Sequence, residues 1–396
     1  MIGGYLANSN KREATMLPHR RVYDEEHSQF RETVRRFAAS KIAPDFARWE
    51  EAGIIDRSLW GAGGAAGLLC PQVPEEFGGA GGDFRHNAVI IEELSYSGFA
   101  GPATDFSVHN DVCCGYLLSY GTPEQKKKWL PRMVSGETVC AIAMTEPGTG
   151  SDLQGIRTRA VREGDEYVIT GQKTFISNGQ MCDLVIVVVR TTPDGGSRGM
   201  SLVLVETDRA GFRHGRNLEK LGHLSSDTSE LFFDGVRVPT SNLLGAEGGA
   251  MGALMSELPQ ERLTIALHSI AAAQKAFDLA KNYVQQRNAF GSPIGNFQNT
   301  RFKLADLKSD LAVGWAYADQ CLRDHINHEL TTYAASTAKL WITEMHGRLV
   351  DQCLQFFGGY GFMREYEICR LYADARVLRI YGGTSEIMRE LISRNL

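Results

Sequence analysis

Apolar residues recur at three- and four-residue steps over residues 24–43, where Phe30, Val34 and Phe37 share one face and Pro44 ends the run. A second helical pattern covers residues 86–96. Thr122-Pro-Glu-Gln125 is a capping box with proline at the first helical position, and its helix continues through Trp129 and Leu130. The period then changes. Residues 167–170, 173–177, 184–190, 200–206 and 229–238 are short runs rich in Val, Ile, Leu and Phe, separated by Gly, Asp, Pro or Ser, which predicts strands. Pro239 and Gly245 close that region. Helical spacing returns over 251–286, 298–325, 333–357 and 387–393. The pattern predicts an α+β chain: a flexible tail over 1–21, an N-terminal helical domain over 22–142, a middle antiparallel β-barrel or sandwich over 143–246, and a C-terminal four-helix bundle over 247–396.

The 396 residues are ample for a large core, and the formal net charge of −5 gives no electrostatic footprint for nucleic acid. No apolar run approaches the roughly 20 residues of a membrane span. The first 21 residues are polar and lack the apolar core of a signal peptide, so no targeting segment is recognised. Cys70, Cys113, Cys114, Cys140, Cys182, Cys321, Cys353 and Cys369 form no Cys-x-x-Cys pair and have no histidine at zinc spacing. They read as reduced and mostly buried, in a cytosol-like compartment, and no metal site is expected. The glycine-rich run 61–67 lacks a preceding strand, so it reads as helix packing or a turn rather than a dinucleotide loop.

Four breaks carry candidate chemistry. Residues 143–152, Ala-Met-Thr-Glu-Pro-Gly-Thr-Gly-Ser-Asp, separate the helical from the stranded half. Gly148 and Gly150 let backbone N–H groups approach a ligand without a Cβ in the way, and Thr145 and Ser151 add hydroxyls. Arg287, where one helix ends, offers a guanidinium suited to a phosphate or pyrophosphate. Residues 355–361 open a backbone notch after a helix, and 381–386 open another before the last helix, with Thr384 available as its N-cap. Taken singly, each is ordinary punctuation, a cap or a surface residue.

In this order and rough spacing these stretches, together with 171–179 (Gly-Gln-Lys-Thr-Phe-Ile-Ser-Asn-Gly), resemble the acyl-CoA dehydrogenases over residues 24–396. The resemblance implies a homotetramer, a dimer of dimers, with FAD held between domains and against a neighbouring subunit. Ile142, Met144, Thr145, Gly150 and Ser151 then resemble the loop that bonds the flavin ring and lines the thioester end of the substrate. Phe175, Ile176 and Ser177 resemble the segment covering one flavin face, with Phe and Ser where many members carry Trp and Thr. Arg287, Phe290 and Gln298 resemble contacts to the adenine-dinucleotide part of a partner's FAD, and Gln355, Gly358, Gly359, Thr384 and Glu386 look like the rest of that cradle.

The implied reaction is α,β-dehydrogenation of an acyl-CoA to the trans-2-enoyl-CoA, with electrons passed to an electron-transferring flavoprotein, in the cytoplasm or, in a eukaryote, the mitochondrial matrix. Many members carry the base just after the tyrosine of the 381 motif, where this chain has Gly382. Long-chain and isovaleryl-type members place it on the first helix of the bundle, and in Glu257-Leu-Pro-Gln-Glu-Arg-Leu263 the matching residue is Glu261. Glu257 is the rival. Without the resemblance the two carboxylates read as an i,i+4 pair on a solvated helix face. Gly382 keeps an N–H that can bond the thioester oxygen, Gly383 adjoins it, and Arg262 is expected to hold local charge and geometry. Pro259 should kink the helix before Glu261 and make room for longer or bulkier acyl groups. Arg198, in a turn between strands, reads as a CoA-nucleotide contact or a surface residue. The wording around Glu261 looks most like the long-chain group, so a medium- to long-chain substrate, branched chains included, is expected. A flavin oxidase or monooxygenase on the same fold, and a non-catalytic acyl-CoA-binding protein, are the competing readings. Retention of Glu261 and of the thioester-facing loops argues against the monooxygenase, slow O₂ consumption by the substrate-reduced enzyme would separate the chain from an oxidase, and an intact FAD cradle argues against the non-catalytic reading.

Overall fold

The computed structural model describes residues 17, 18, 20–193 and 195–396. The N-terminal region is built from α1 (Glu25–Phe37), α2 (Phe46–Ala52), α3 (Arg57–Ala65), α4 (Phe84–Tyr96), α5 (Ala100–Ser107), α6 (Cys114–Tyr120) and α7 (Pro123–Val134). The capping box that opens α7 is formed: the Gln125 N–H donates to Thr122 Oγ1 at 3.2 Å and the Thr122 N–H to Gln125 Oε1 at 3.0 Å. The glycine run covers the end of α3 and the turn after it, where Gly67 takes φ +72°, and it serves packing, since a Cβ at Gly64 would run into the Ser135 carbonyl and one at Gly63 would press on Phe106 at 3.1 Å.

The expected flexible tail falls mostly on residues outside those described, but its described end is not loose. Leu17 and Arg20 are buried, and Arg20 pairs with Glu92 of α4 and, at 3.0 Å, with Asp319. A buried guanidinium persists only when carboxylates meet it, and here they fasten the chain to two helices.

The middle region holds β1 (Cys140–Ala143), β2 (Arg159–Glu163), β3 (Glu166–Ser177), β4 (Leu184–Arg190), β5 (Met200–Glu206), β6 (Phe212–Asn217), β7 (Thr228–Pro239) and β8 (Leu243–Leu244), paired in the order β6-β7-β3-β2-β4-β5-β8. The sheet is not wholly antiparallel: β1 runs parallel to β4 along its length, and β2 touches β4 in parallel at Arg159 and Arg190. β4 shows why its sequence is apolar throughout. Leu184, Ile186 and Val188 face the helices, while Val185, Val187 and Val189 face a second core shared with Leu231 and Phe233 of β7.

The C-terminal region contains α8 (Ala250–Gln286), a small hairpin of β9 (Asn288–Ala289) and β10 (Ser292–Pro293), then α9 (Gln298–Ile326), α10 (Thr332–Phe357), α11 (Glu367–Ala375) and α12 (Ser385–Ser393). The short α11 is additional to the helices expected from sequence; α11 and α12 both pack on α10, which itself packs on α8. No described helix is long and apolar enough to cross a membrane. One core joins Phe37, Trp49 and Trp60 to Leu263, Leu267 and Ile270 of α8, whereas Ala250, Ala253 and Leu254 belong to a core shared with α6, α7 and the sheet. The two cores part along α8 between Leu254 and Leu263, which places Glu261 at the junction of all three regions.

Candidate active site

α8 runs unbroken through Pro259, whose ring offers no N–H to the Met255 carbonyl one turn back. Gln260 ties this stretch to the N-terminal helices by donating from Nε2 to the Asp111 carbonyl at 2.7 Å. Glu261 turns toward α6, where the Tyr116 O–H donates to its Oε1 at 3.1 Å. Glu261 is half-buried. Loss of hydration pushes its carboxyl up to about 7; the Tyr116 hydrogen bond and the Arg262 charge oppose the rise, and Glu257 adds to it. Glu257 is also half-buried and raised by burial, against a hydrogen bond from Ser119 of the same α6. The solvated-face reading of this pair therefore fails: both carboxylates pack against α6, because that helix lies across the start of α8.

Gly382 and Gly383 take φ of +65° and +97°, conformations that side chains resist. Two buried cations reach their carbonyls. Arg262 Nε points at the Gly382 oxygen at 3.5 Å, and Lys339 Nζ donates to the Gly383 oxygen at 2.6 Å. Burial pulls Lys339 down to about 8, with the Arg262 charge reinforcing the shift. A Cβ at position 382 would run into Cδ1 of Ile265, one turn beyond Glu261. Ile265 thus fills the volume that a side chain on this loop would need. Thr384 caps α12, accepting the Ile387 N–H at 3.3 Å, and Thr384 and Glu386 border a cavity of about 250 Å³ that also meets Arg376 and Arg379.

The turn at 143–152 is closed by reciprocal backbone bonds between Glu146 and Thr149 at 2.9 and 3.0 Å. Its anchor is the buried Glu146 carboxylate. Oε1 accepts from Lys173 Nζ and from the Thr158 N–H, both at 2.9 Å, and Oε2 accepts from the Arg157 N–H at 2.8 Å. Burial alone would raise Glu146, but Lys173 and these donors outweigh it and hold the carboxyl below its usual range. Lys173 is pulled down to about 8 by burial and also donates to the Met144 carbonyl at 3.0 Å. This pair locks the turn to β3. A bulge between Lys173 and Ile176 then turns Phe175 outward at φ +60°, where its ring is 66% exposed. At Gly148 and Gly150 a Cβ would meet nothing within 4 Å. Ile142, Met144, Thr145 and Ser177 are half-buried around this opening, Ile176 lies beneath, and Gly150 and Ser151 are exposed. An uncovered aromatic wall beside an open glycine turn fits a planar ring such as a flavin.

Arg287, Phe290, Gln298, Gln355, Gly358 and Gly359 are all exposed and lie elsewhere. Arg287 follows α8 and is about 40 Å along the helix axis from Glu261 at 1.5 Å per residue. Its guanidinium lies over Tyr360 at 5.8 Å, which joins it to the notch after α10. Phe290, at φ +51°, is 97% exposed. The residues expected to share one cofactor thus fall into two groups at opposite ends of α8. Arg198 is exposed in the turn between β4 and β5, with its carbonyl against Gly248 and no described contact to Glu261 or Gly382. Sequence reasoning missed Tyr116, Ile265 and Lys339, which reach the site only through tertiary packing. Glu146 and Lys173 stood inside the motifs already singled out, but nothing local marked them as a pair.

Comparison with known proteins gives one consistent result. The acyl-CoA dehydrogenase N-terminal, middle and C-terminal domain families match residues 24–137, 141–236 and 249–396. The mitochondrial long-chain specific acyl-CoA dehydrogenase of Sus scrofa is 45% identical over 393 residues, spanning 99% of this chain and 91% of that protein. The mitochondrial isovaleryl-CoA dehydrogenase of Oryza sativa subsp. japonica is 36% identical over 378 residues, 95% of this chain and 92% of its own. Among solved structures, acyl-CoA dehydrogenase from Geobacillus kaustophilus has a TM-score of 0.93 at 46% identity, covering 95% of this chain and 99% of its own. A glutaryl-CoA dehydrogenase from Mycobacterium smegmatis, in complex with FADH2, has a TM-score of 0.88 at 30% identity, covering 95% of each chain.

Proposed function

This chain belongs to the acyl-CoA dehydrogenase family of FAD-dependent oxidoreductases, and from that premise we propose that it dehydrogenates medium- to long-chain acyl-CoA thioesters, branched chains included, with Glu261 as the base. The observation that carries this reading is a half-buried carboxyl raised to about 7, on the turn of α8 that also holds the Gly382 loop through Arg262.

A base must reach the proton it takes and have a pKa near the working pH. Ionised Glu261 removes the α-proton while Tyr116 holds Oε1 in place. The Gly382 N–H donates to the thioester oxygen as charge gathers there. Arg262 and Lys339 fix the direction of that donor by gripping the carbonyls of Gly382 and Gly383. An acyl chain that covers Glu261 expels water and raises its basicity further. Bound FAD would supply the acceptor for the hydride that leaves the β-carbon. Ile142, Met144, Thr145, Gly150, Ser151, Phe175, Ile176 and Ser177 would hold its ring. Arg287, Phe290, Gln298, Gln355, Gly358 and Gly359 of a second copy, with Thr384 and Glu386, would hold its dinucleotide part. The distance between the two groups along α8 supports sharing of each cofactor with a second copy, as in the homotetramer that the family resemblance implies. Electrons then leave to an electron-transferring flavoprotein.

The test is anaerobic bleaching of the flavin by a panel of acyl-CoAs. Palmitoyl-CoA should bleach it much faster than butyryl-CoA if Pro259 makes room beside Glu261 for the longer chain. Equal rates would contradict the pocket reading, and no bleaching by any thioester would contradict dehydrogenation.

A further inference from the structure

We propose that Glu26, His27 and His86 form a binding site for a divalent transition-metal ion of the Zn²⁺ class, clipping the first turn of α1 to the first turn of α4. Glu26 and His27 lie in the first turn of α1, Asp83 is the N-cap of α4, and His86 sits in its first turn. The two imidazole rings are 4.5 Å apart, centre to centre, and inclined by 50°. Glu26, His27 and His86 each offer one ligand atom within 4.8 Å of the others. Glu26 Oε1 lies 3.6 Å from His86 Nε2 and 3.9 Å from His27 Nε2. Asp83 Oδ1 lies 3.5 Å from His27 Nε2 and 3.9 Å from His86 Nδ1.

These separations are too long for good hydrogen bonds. Those from Glu26 Oε1 to Nε2 of both rings are close to what one ion demands: with bonds of about 2.0–2.1 Å, tetrahedral ligands stand roughly 3.3 Å apart. The second observation is at the ring nitrogens. The His27 side chain is fully buried, and neither its Nε2 nor His86 Nδ1 has a hydrogen-bond partner among the described residues. A buried polar atom left unpaired is costly, and a cation held by the two imidazoles and the Glu26 carboxylate removes that cost at His27 Nε2.

Two features oppose the ion, and both have an answer on the same residues. Helix N-termini repel cations, but Asp24, Glu25, Glu26 and Asp83 surround these two. Arg85 is close, yet its guanidinium is taken up by Asp83 Oδ2, at 2.6 and 2.9 Å, and by Asp24 Oδ2 at 2.7 Å, while Asp83 Oδ1 caps α4 by accepting the Arg85 N–H at 2.8 Å. In the metal-free chain the Asp24 N–H donates to His27 Nδ1 at 3.3 Å. Metal on Nε2 puts the proton on Nδ1 and gives up that bond; Asp24 Oδ2, 3.9 Å away and also holding Arg85 Nη1 at 2.7 Å, is the carboxylate nearest to accept it. Two imidazoles with one or two carboxylates suit Zn²⁺, Co²⁺ or Ni²⁺ rather than Mg²⁺ or Ca²⁺.

The experiment uses untagged holoenzyme, treated with chelator and titrated with Zn²⁺ by calorimetry and equilibrium dialysis. We expect one tight Zn²⁺ per chain and a Tm that rises with it, with Co²⁺ giving the visible bands of a four- or five-coordinate site. His86→Asn and Glu26→Gln should each weaken Zn²⁺ binding by roughly 10–100-fold or more. In both, the metal-free Tm and the rate of flavin bleaching should match the wild type, which separates this site from the reaction. Absence of tight binding to the wild type overturns the proposal. So does equal affinity in both variants, which would place the ion on the cysteines or elsewhere.

Discussion

The two ends of α8 differ in what a single chain completes. At Glu261 every partner is internal: Tyr116 comes from α6, Arg262 from the same turn, and Ile265 and Gly382 close the far side. At Arg287 the side chains face outward, with Phe290 97% exposed and Gly358 and Gly359 open to any approach. The first end is pre-organised for proton transfer. The second is a surface whose aromatic and guanidinium groups are left for a ligand or another copy to cover. On the proposed reading, the contrast teaches that the acid–base chemistry would be encoded within the protomer, while retention of the cofactor would be shared with a second copy.

The internal half should break most severely where charge is buried. Lys173→Met strands the Glu146 carboxylate, and losing one partner of a buried pair costs about 3–5 kcal/mol. Urea unfolding should show that loss, and Glu146→Gln in the same chain should recover part of it. A loss below about 1 kcal/mol would mean the pair is replaceable by solvent. Arg287→Ala tests the open end. It should weaken FAD retention roughly 10–100-fold, the value of a charge-assisted hydrogen bond, more so at low protein concentration. Bleaching per bound flavin should stay at the wild-type rate; a matching fall in that rate would dissolve the distinction between the two ends. Tyr116→Phe is the gentlest. It removes a donor that stabilises ionised Glu261, so the rising limb of kcat/KM against pH should move up by about one unit. An unmoved limb would detach Tyr116 from the base.

Much of this was legible in the sequence because it is local. The Thr122 box, the β4 and β5 runs and the glycine breaks carry their own signals over a few residues. Strand β1 was missed because four residues cannot display a period, and β6, Phe-Arg-His-Gly-Arg-Asn, has no apolar alternation. α11 was missed because its nine residues lie between two glycine-rich breaks. At the site, the sequence showed that position 382 lacks a carboxylate but not that Ile265 fills the space. A carboxylate moved to 382 would need Ile265 cut back as well. Tyr116 is 145 residues from Glu261 along the chain, so only folding brings them together.

The central claim, that Glu261 is the base, has a direct measurement: stopped-flow bleaching of the flavin across pH in the wild type and in Glu261→Gln. Relative to a usual value of 4.5, the raised carboxyl keeps its proton in the folded chain up to about 7. Folded protein therefore binds more protons than unfolded in that window, and Glu261 costs stability as pH rises through it. Catalysis runs the other way, since only the ionised form accepts the α-proton. The wild-type kcat/KM for bleaching should rise through a limb near 7. Glu261→Gln should retain FAD and bind acyl-CoA, lose the limb, and bleach about 10²–10⁴-fold more slowly. A variant that keeps both the limb and the wild-type rate would contradict the assignment and pass the role to Glu257.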